Sequence, residues 1–331
     1  MKLTFDEIAS AAEGIVRTER NNVGLELHRF TREQEAFFYK THKDFCNDYF
    51  FNGYFGKNCR TTAGVKLDFT TDAEEIVVKF GKTELATLRN PLDQLFDVYE
   101  GGELKATYQM GDELSHKTAG GKHRYEIYFP HYAFPVISDM ELVGATIFEP
   151  CVRPAEIIFF GDSITHGARS NHPSKSYVMR VARALGVCVL NQGNSGFVYD
   201  AGSVERVCDP KIVVCAYGIN DIVRKKDKSI LRGDAEDFHK RVRECYPLSK
   251  IVSILPIYTS WEANKIDCIA EEREILSSVY KDYSDYIVDG RELRPLDRSL
   301  FDDGIHPTEE GFEHYGKNLT NILKGILEDI K

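Results

Sequence analysis

Residues Ile157-Ile158-Phe159-Phe160-Gly161-Asp162-Ser163-Ile164-Thr165-His166-Gly167 read as a short apolar strand that runs into a sharp, glycine-supported turn carrying a hydroxyl. Four more runs of this kind follow, at Val187–Leu190, Lys211–Ala216, Lys250–Leu255 and Tyr286–Asp289. Between them lie helical stretches near Ser176–Leu185, Ala235–Cys245 and Ile269–Tyr283, and a last helix spans about Glu309 to Ile330. Alternation of strand and helix predicts an α/β domain, a parallel sheet covered by helices on both faces. In open sheets of this type ligands bind at the carboxyl ends of the strands, so the residues just after each strand are where chemistry is sought.

Outward from that segment toward the N-terminus, the pattern changes at Glu149-Pro150-Cys151-Val152-Arg153-Pro154, where two prolines mark a seam between residues 1–150 and 151–331. From about residue 45 to 148, short β-rich segments alternate with turn residues, including Gly64–Phe69, Glu75–Phe80, Leu95–Tyr99, Arg124–Phe129 and Met140–Val143. That spacing predicts an antiparallel β-sandwich. Thr4-Phe-Asp-Glu7 reads as a capping box opening a helix to about Arg17, and Thr31-Arg-Glu-Gln34 opens a second after the strand-like Leu25–Phe30.

The 331 residues carry 42 Lys and Arg against 52 Asp and Glu, a net charge of −10, which argues against a nucleic-acid partner. The densest basic cluster, Lys225-Lys226-Asp227-Lys228, reads as a solvated loop. No N-terminal signal and no run of about 18 apolar residues is present, so no membrane span and a cytoplasmic location are expected. Eight cysteines are scattered without a C-x-x-C pair, which fits free thiols and excludes a zinc ribbon. His166, His172 and His314 lack metal-binding spacing, and His166 and His172 are expected at the rim near Ser163.

The strand ends carry the chemistry. Ser163 lacks the G-x-S-x-G frame of an α/β-hydrolase elbow, because position 165 is Thr. The second strand runs into Asn191-Gln192-Gly193-Asn194-Ser195-Gly196, a turn of small residues able to aim a backbone N–H into the crevice. The third ends in Tyr217-Gly218-Ile219-Asn220-Asp221, where Asn220 offers a side-chain amide, although a helix-capping Asn looks the same. Before the last helix comes Asp302-Asp303-Gly304-Ile305-His306-Pro307-Thr308. An Asp three residues before a His, with Gly between them, can accept the Nδ1 proton and leave Nε2 free as a base.

A Ser, a Gly, an Asn and an Asp-x-x-His in that order resemble the motif blocks of the SGNH (GDSL-type) hydrolases, over about residues 155 to 325. The resemblance implies a three-layer αβα, flavodoxin-like sheet, with Ser163 as nucleophile, His306 as base and Asp303 as its orienting carboxylate. It further implies an oxyanion hole made of the Ser163 and Gly196 amides and the Asn220 side chain, with no metal or cofactor. Gly193 competes with Gly196, which is preferred because the family's glycine closes an Asn-x-x-x-x-Gly segment. The first half is similar to the N-terminal jelly roll of two-domain carbohydrate acetylesterases; some of those lack the triad Asp, whereas this chain has Asp303.

The implied substrate is a small-molecule or oligosaccharide ester. The absence of a strongly apolar helix or lid favours short acyl groups, acetyl above all, because long-acyl enzymes gain about 0.8 kcal/mol per buried methylene. A lysophospholipase or thioesterase, and a carbohydrate-binding protein with a vestigial hydrolase domain, are the alternatives. Phe45, Tyr49, Phe50, Phe51, Tyr54 and Phe55 read as core rather than a sugar platform, and Trp261 stands near the fourth strand end. The sequence leaves a homo-oligomer open.

Overall fold

The computed structural model describes residues 1–41, 53–86, 94–224, 227–262 and 269–330. Helix α1 (Phe5–Ser10) opens with the expected capping box, in which Thr4 Oγ1 accepts from the Glu7 amide and Glu7 Oε2 from the Thr4 amide. It ends at Ser10 rather than near Arg17, because the next residues leave the helix to pair: β1 (Ala12–Glu13) lies antiparallel to Lys66–Leu67. Gly14, at φ +79°, then turns the chain where a Cβ would lie 2.4 Å from Gly64 O. Strands β2 (Arg17–Arg20) and β3 (Leu25–His28) precede α2 (Arg32–Lys40), capped by Thr31 and Gln34, and α3 (Tyr54–Arg60).

Eight strands follow: β4 (Lys66–Thr71), β5 (Glu75–Leu85), β6 (Leu95–Glu100), β7 (Glu103–Gln109), β8 (Glu113–Lys117), β9 (His123–Tyr128), β10 (Ala133–Val143) and β11 (Phe148–Pro150). Among the described residues they form two antiparallel sheets, ordered β1-β4-β9-β6-β7, with β11 on β4, and β2-β3-β10-β5-β8. Alternate residues from each sheet meet in one core, with Leu67, Phe69, Val98 and Ile127 facing Leu27, Ile76, Val78 and Leu142. The pattern did not predict β7, whose residues are exposed or half-buried and present no apolar face.

The second half is an α/β unit of β12 (Ile157–Gly161), α4 (Ser163–His166), α5 (Tyr177–Leu185), β13 (Val189–Gly193), β14 (Ile212–Ala216), α6 (Ile219–Val223), α7 (Lys228–Cys245), β15 (Lys250–Ile254), α8 (Ala270–Tyr283), β16 (Tyr286–Val288), α9 (Gly290–Leu293) and α10 (Glu309–Asp329). Its strands are parallel in the order β13-β12-β14-β15-β16, with α5 and α10 packed on one face and α7 and α8 on the other. Helix α7 starts at Lys228, earlier than the pattern predicts, because Asp227 caps it by accepting from the Ser229 amide; Lys228 is therefore helical, while Lys225 and Lys226 lie outside the described residues.

One aromatic cluster crosses between the halves: the Phe38 and Phe55 rings lie 4.9 and 5.2 Å from that of Phe197. Phe55 is thus core and Tyr54 packs against it, whereas Phe45, Tyr49, Phe50 and Phe51 lie outside the described residues. No helix among the described residues is long and apolar enough to cross a membrane.

Candidate active site

Strand β12 ends at Gly161, where a Cβ would lie 2.0 Å from Thr165 Oγ1 and 3.0 Å from Ala216 O, so only glycine lets the chain turn there. Asp162 caps α4 by accepting from the Ile164 amide at 3.0 Å, which makes Ser163 the first helical residue. Burial pushes the Asp162 carboxyl up to about 7. Ser163 Oγ lies 2.7 Å from His306 Nε2. On the other side of the ring, Nδ1 lies 2.8 and 3.0 Å from the two Asp303 oxygens. With a carboxylate facing Nδ1, the ring proton belongs there, and Nε2 is left to accept from the serine hydroxyl.

Asp303 folds back on His306 through Gly304, at φ +92°, and its Oδ1 also accepts from the amides of Ile305 (3.2 Å) and His306 (3.0 Å). Burial pushes this carboxyl up, but the hydrogen bonds from the His306 ring and these amides outweigh it and hold it well below the usual carboxylate range. The loop is pinned from outside by Ser260, whose amide donates to Gly304 O at 2.7 Å. Arg169 reaches the same loop, with Nε 3.0 Å from Asp302 and Nη2 3.2 Å from Asp303. No spacing rule pointed to Arg169. It has the one positive φ, +71°, among the described non-glycine residues.

Strand β13 begins at Val189 rather than Val187, because Gly186 ends α5 in the left-handed region and the Val187 amide is tied back to Ala182 O. Asn191 to Gly193 are therefore strand rather than turn, and Gly193 pairs in register with Gly161. The two second-block glycines separate clearly. The Gly193 amide is taken by Asn191 Oδ1 at 2.9 Å, and a Cβ there would lie 2.5 Å from the His166 amide nitrogen, so this glycine serves packing. Gly196 sits at φ +76°, and among the described residues no hydrogen bond takes its amide or that of Ser163. Asn220, in the first turn of α6, donates one Nδ2 proton to Phe197 O at 3.0 Å and keeps a second. Arg224, which caps the C-terminus of α6, donates to Gly196 O, tying the second and third strand ends together.

His166 is not at the rim. It is fully buried beneath the second-block turn: Nδ1 accepts from the Ser195 amide at 3.3 Å, and Nε2 lies 2.7 Å from His131 O. The Gly-x-x-x-x-His stretch reads as a surface turn locally; what covers it is residues 131–132, with His131 35 positions upstream of His166. His172 is half-buried, with Nδ1 3.0 Å from Asp97 of β6, and Trp261 is exposed. The donor atoms of Glu19, Glu26 and His28 converge within 4.8 Å, but in the sandwich, where Arg17 and Arg32 already pair with Glu19.

Residues 159–314 match the model of the GDSL-like Lipase/Acylhydrolase family. These residues form a GDSL-like lipase/acylhydrolase domain, and the protein is an ester hydrolase. No protein of curated function matches the sequence. Among solved structures, the chain is similar to a salicylyl-acyltransferase from a tetracycline biosynthetic pathway, with 20% identity over 95% of this chain and 94% of the other, at a TM-score of 0.78. It is also similar to a putative GDSL-like lipase from Bacteroides ovatus (18%, 99% and 98%, TM-score 0.72) and to an acetyl xylan esterase from the rumen bacterium Butyrivibrio proteoclasticus (13%, 99% and 98%, TM-score 0.67). At these identities the likeness is one of fold, and it extends over both the antiparallel sheets and the α/β unit.

Proposed function

We propose that the protein is a serine esterase that removes short acyl groups, acetyl above all, from carbohydrate hydroxyls. The observation that carries this reading is the unbroken hydrogen-bonded line from Ser163 Oγ through His306 to Asp303. As Ser163 Oγ attacks the ester carbonyl carbon, its proton passes to His306 Nε2 and the carbonyl oxygen becomes an oxyanion. The Ser163 and Gly196 amides and the remaining Asn220 N–H are the donors that receive that charge. Collapse breaks the ester C–O bond, and His306 returns the proton to the departing alcohol. A water, deprotonated by His306, then attacks the acyl-enzyme and releases the carboxylic acid and the serine.

The substrate class rests on two supports. One is the shared fold with a protein described as an acetyl xylan esterase. The other is the size of the cavity below the strand ends, among Ile164, Ala216, Ile254 and Tyr315: it holds about 20 Å³, too little to bury a long acyl chain. Hydrolysis of p-nitrophenyl acetate and of acetylated xylo-oligosaccharides by wild type and Ser163→Ala tests the reading. Ser163→Ala is expected to lower kcat by about 10⁴ to 10⁶; turnover within tenfold of wild type overturns the serine mechanism.

A further inference from the structure

We infer that Asn58, held by Arg29, is a positioning residue for the Gly196 oxyanion donor, so that the N-terminal half of the chain aims a catalytic group of the C-terminal half. This rests on the serine-esterase reading above. The key is a single peptide unit. Ser195 C=O and Gly196 N–H belong to the same planar trans peptide, so a group that fixes one fixes the opposite direction of the other. Asn58 Nδ2 donates to Ser195 O at 3.5 Å, from the far side of that peptide.

Asn58 is completely buried, and among the described residues its Oδ1 has no hydrogen-bond partner. A buried amide with half its capacity unmet is destabilising, and replacement by an apolar side chain of similar size would remove that penalty. Its presence is accounted for by what Nδ2 holds. The Asn58 backbone is in turn fixed by Arg29, another fully buried side chain, whose Nη2 donates to Asn58 O at 3.1 Å. The rest of this guanidinium is spent on Thr61 O (2.7 Å), Thr61 Oγ1 (3.2 Å), Asn191 O (2.6 Å) and Gly193 O (3.1 Å), so all its N–H groups are used and none on a carboxylate. One guanidinium thus ties α3 to the end of β13.

The remaining positions of the turn are anchored in the same way. Asn194 Nδ2 donates to Phe55 O at 3.1 Å. The Ser195 hydroxyl pairs with Tyr132 OH at 2.5 Å, and the Tyr132 ring stacks on His166 with centroids 4.4 Å apart. Every residue from Asn191 to Ser195 is buried, so the turn is held by protein groups rather than by bulk solvent. A donor held this way needs no reorganisation when charge develops on the substrate, which is the condition for strong oxyanion stabilisation.

The test is Asn58→Leu, which removes the donor and the unmet Oδ1 together while keeping the volume. Expected are a melting temperature equal to or above that of wild type, a kcat for p-nitrophenyl acetate lowered by about tenfold to a hundredfold, less than for loss of a whole donor, and an unchanged KM. A merely structural role predicts the reverse, a lower melting temperature with kcat retained. A folded Asn58→Leu with kcat within twofold of wild type overturns the inference. If Asn58→Leu does not fold, Asn58→Ala decides: it too removes the donor to Ser195 O, so kcat is expected to fall at constant KM, and wild-type kcat overturns the inference. Ser163→Ala, run in parallel, separates the two levels. Activity surviving in Ser163→Ala brings down the esterase reading and this inference with it, whereas an inactive Ser163→Ala beside an unimpaired Asn58→Leu brings down the inference alone.

Discussion

Replacing Asp303 by Asn leaves the shape of the side chain and reverses the chemistry of one of its two ends. Oδ1 of Asp303 accepts from the amides of Ile305 and His306. An Asn keeps that arrangement only with its own oxygen at this position, since the flipped amide would set N–H against two N–H groups. Its Nδ2 then occupies the place of Oδ2, 2.8 Å from His306 Nδ1. This N–H faces Nδ1 more closely than the Asn oxygen, which lies 3.0 Å away and already accepts two amide protons, so Nδ1 turns acceptor and the ring proton moves to Nε2, the atom 2.7 Å from Ser163 Oγ. In that tautomer the imidazole cannot take the serine proton. The expected loss is about 10⁴ in kcat, or about 5.5 kcal/mol of transition-state stabilisation. Asp303→Ala imposes neither tautomer and is expected to be impaired less than Asp303→Asn. The assay is kcat for p-nitrophenyl acetate at pH 8, with circular dichroism to show that both variants are folded. A kcat of Asp303→Asn within tenfold of wild type would refute the reasoning and leave Ser163 and His306 working as a pair.

Asn220→Ala removes one oxyanion donor and is expected to lower kcat by about 10² to 10³, read from Michaelis plots with acetate esters; an effect confined to KM would place Asn220 in binding. Along the p-nitrophenyl series from acetate to octanoate, kcat/KM is expected to peak at acetate, and a peak at octanoate would move the substrate class to lipids or thioesters. Burial pushes the Asp162 carboxyl from 3.8 up to about 7, so between these values the folded protein holds a proton that the unfolded chain has lost, and stability declines as pH rises through that window. Asp162→Asn, which keeps an acceptor for the Ile164 amide, is expected to flatten the decline between pH 4 and pH 7 in denaturant titrations; an unchanged slope would assign it to another group.

The strand ends were legible because each signal is local. Strands buried on both faces read as apolar runs, so the end of β12 and the residues after it stood out, and Asp303 and His306 are three positions apart in one glycine turn. Capping at Thr4 and Thr31 was readable for the same reason, whereas the length of α1 was not, because Ala12–Glu13 pairs with a strand more than fifty residues away.

By itself, then, the sequence determined the class of each half, the strand ends where chemistry would sit, and the residue types gathered there, since these follow from short-range periodicity and turn chemistry. The tertiary structure alone decided what depends on segments far apart in the chain. It set Ser163 against His306 across 143 positions and the strand order β13-β12-β14-β15-β16. It also spent the Gly193 amide while leaving that of Gly196 available, and buried His166 under Tyr132. Arg29 and Asn58 belong with these. Their hydrogen bonds go to backbone carbonyls of distant residues, and a carbonyl is the same group whatever side chain follows it, so no residue pattern along the chain announces the contact.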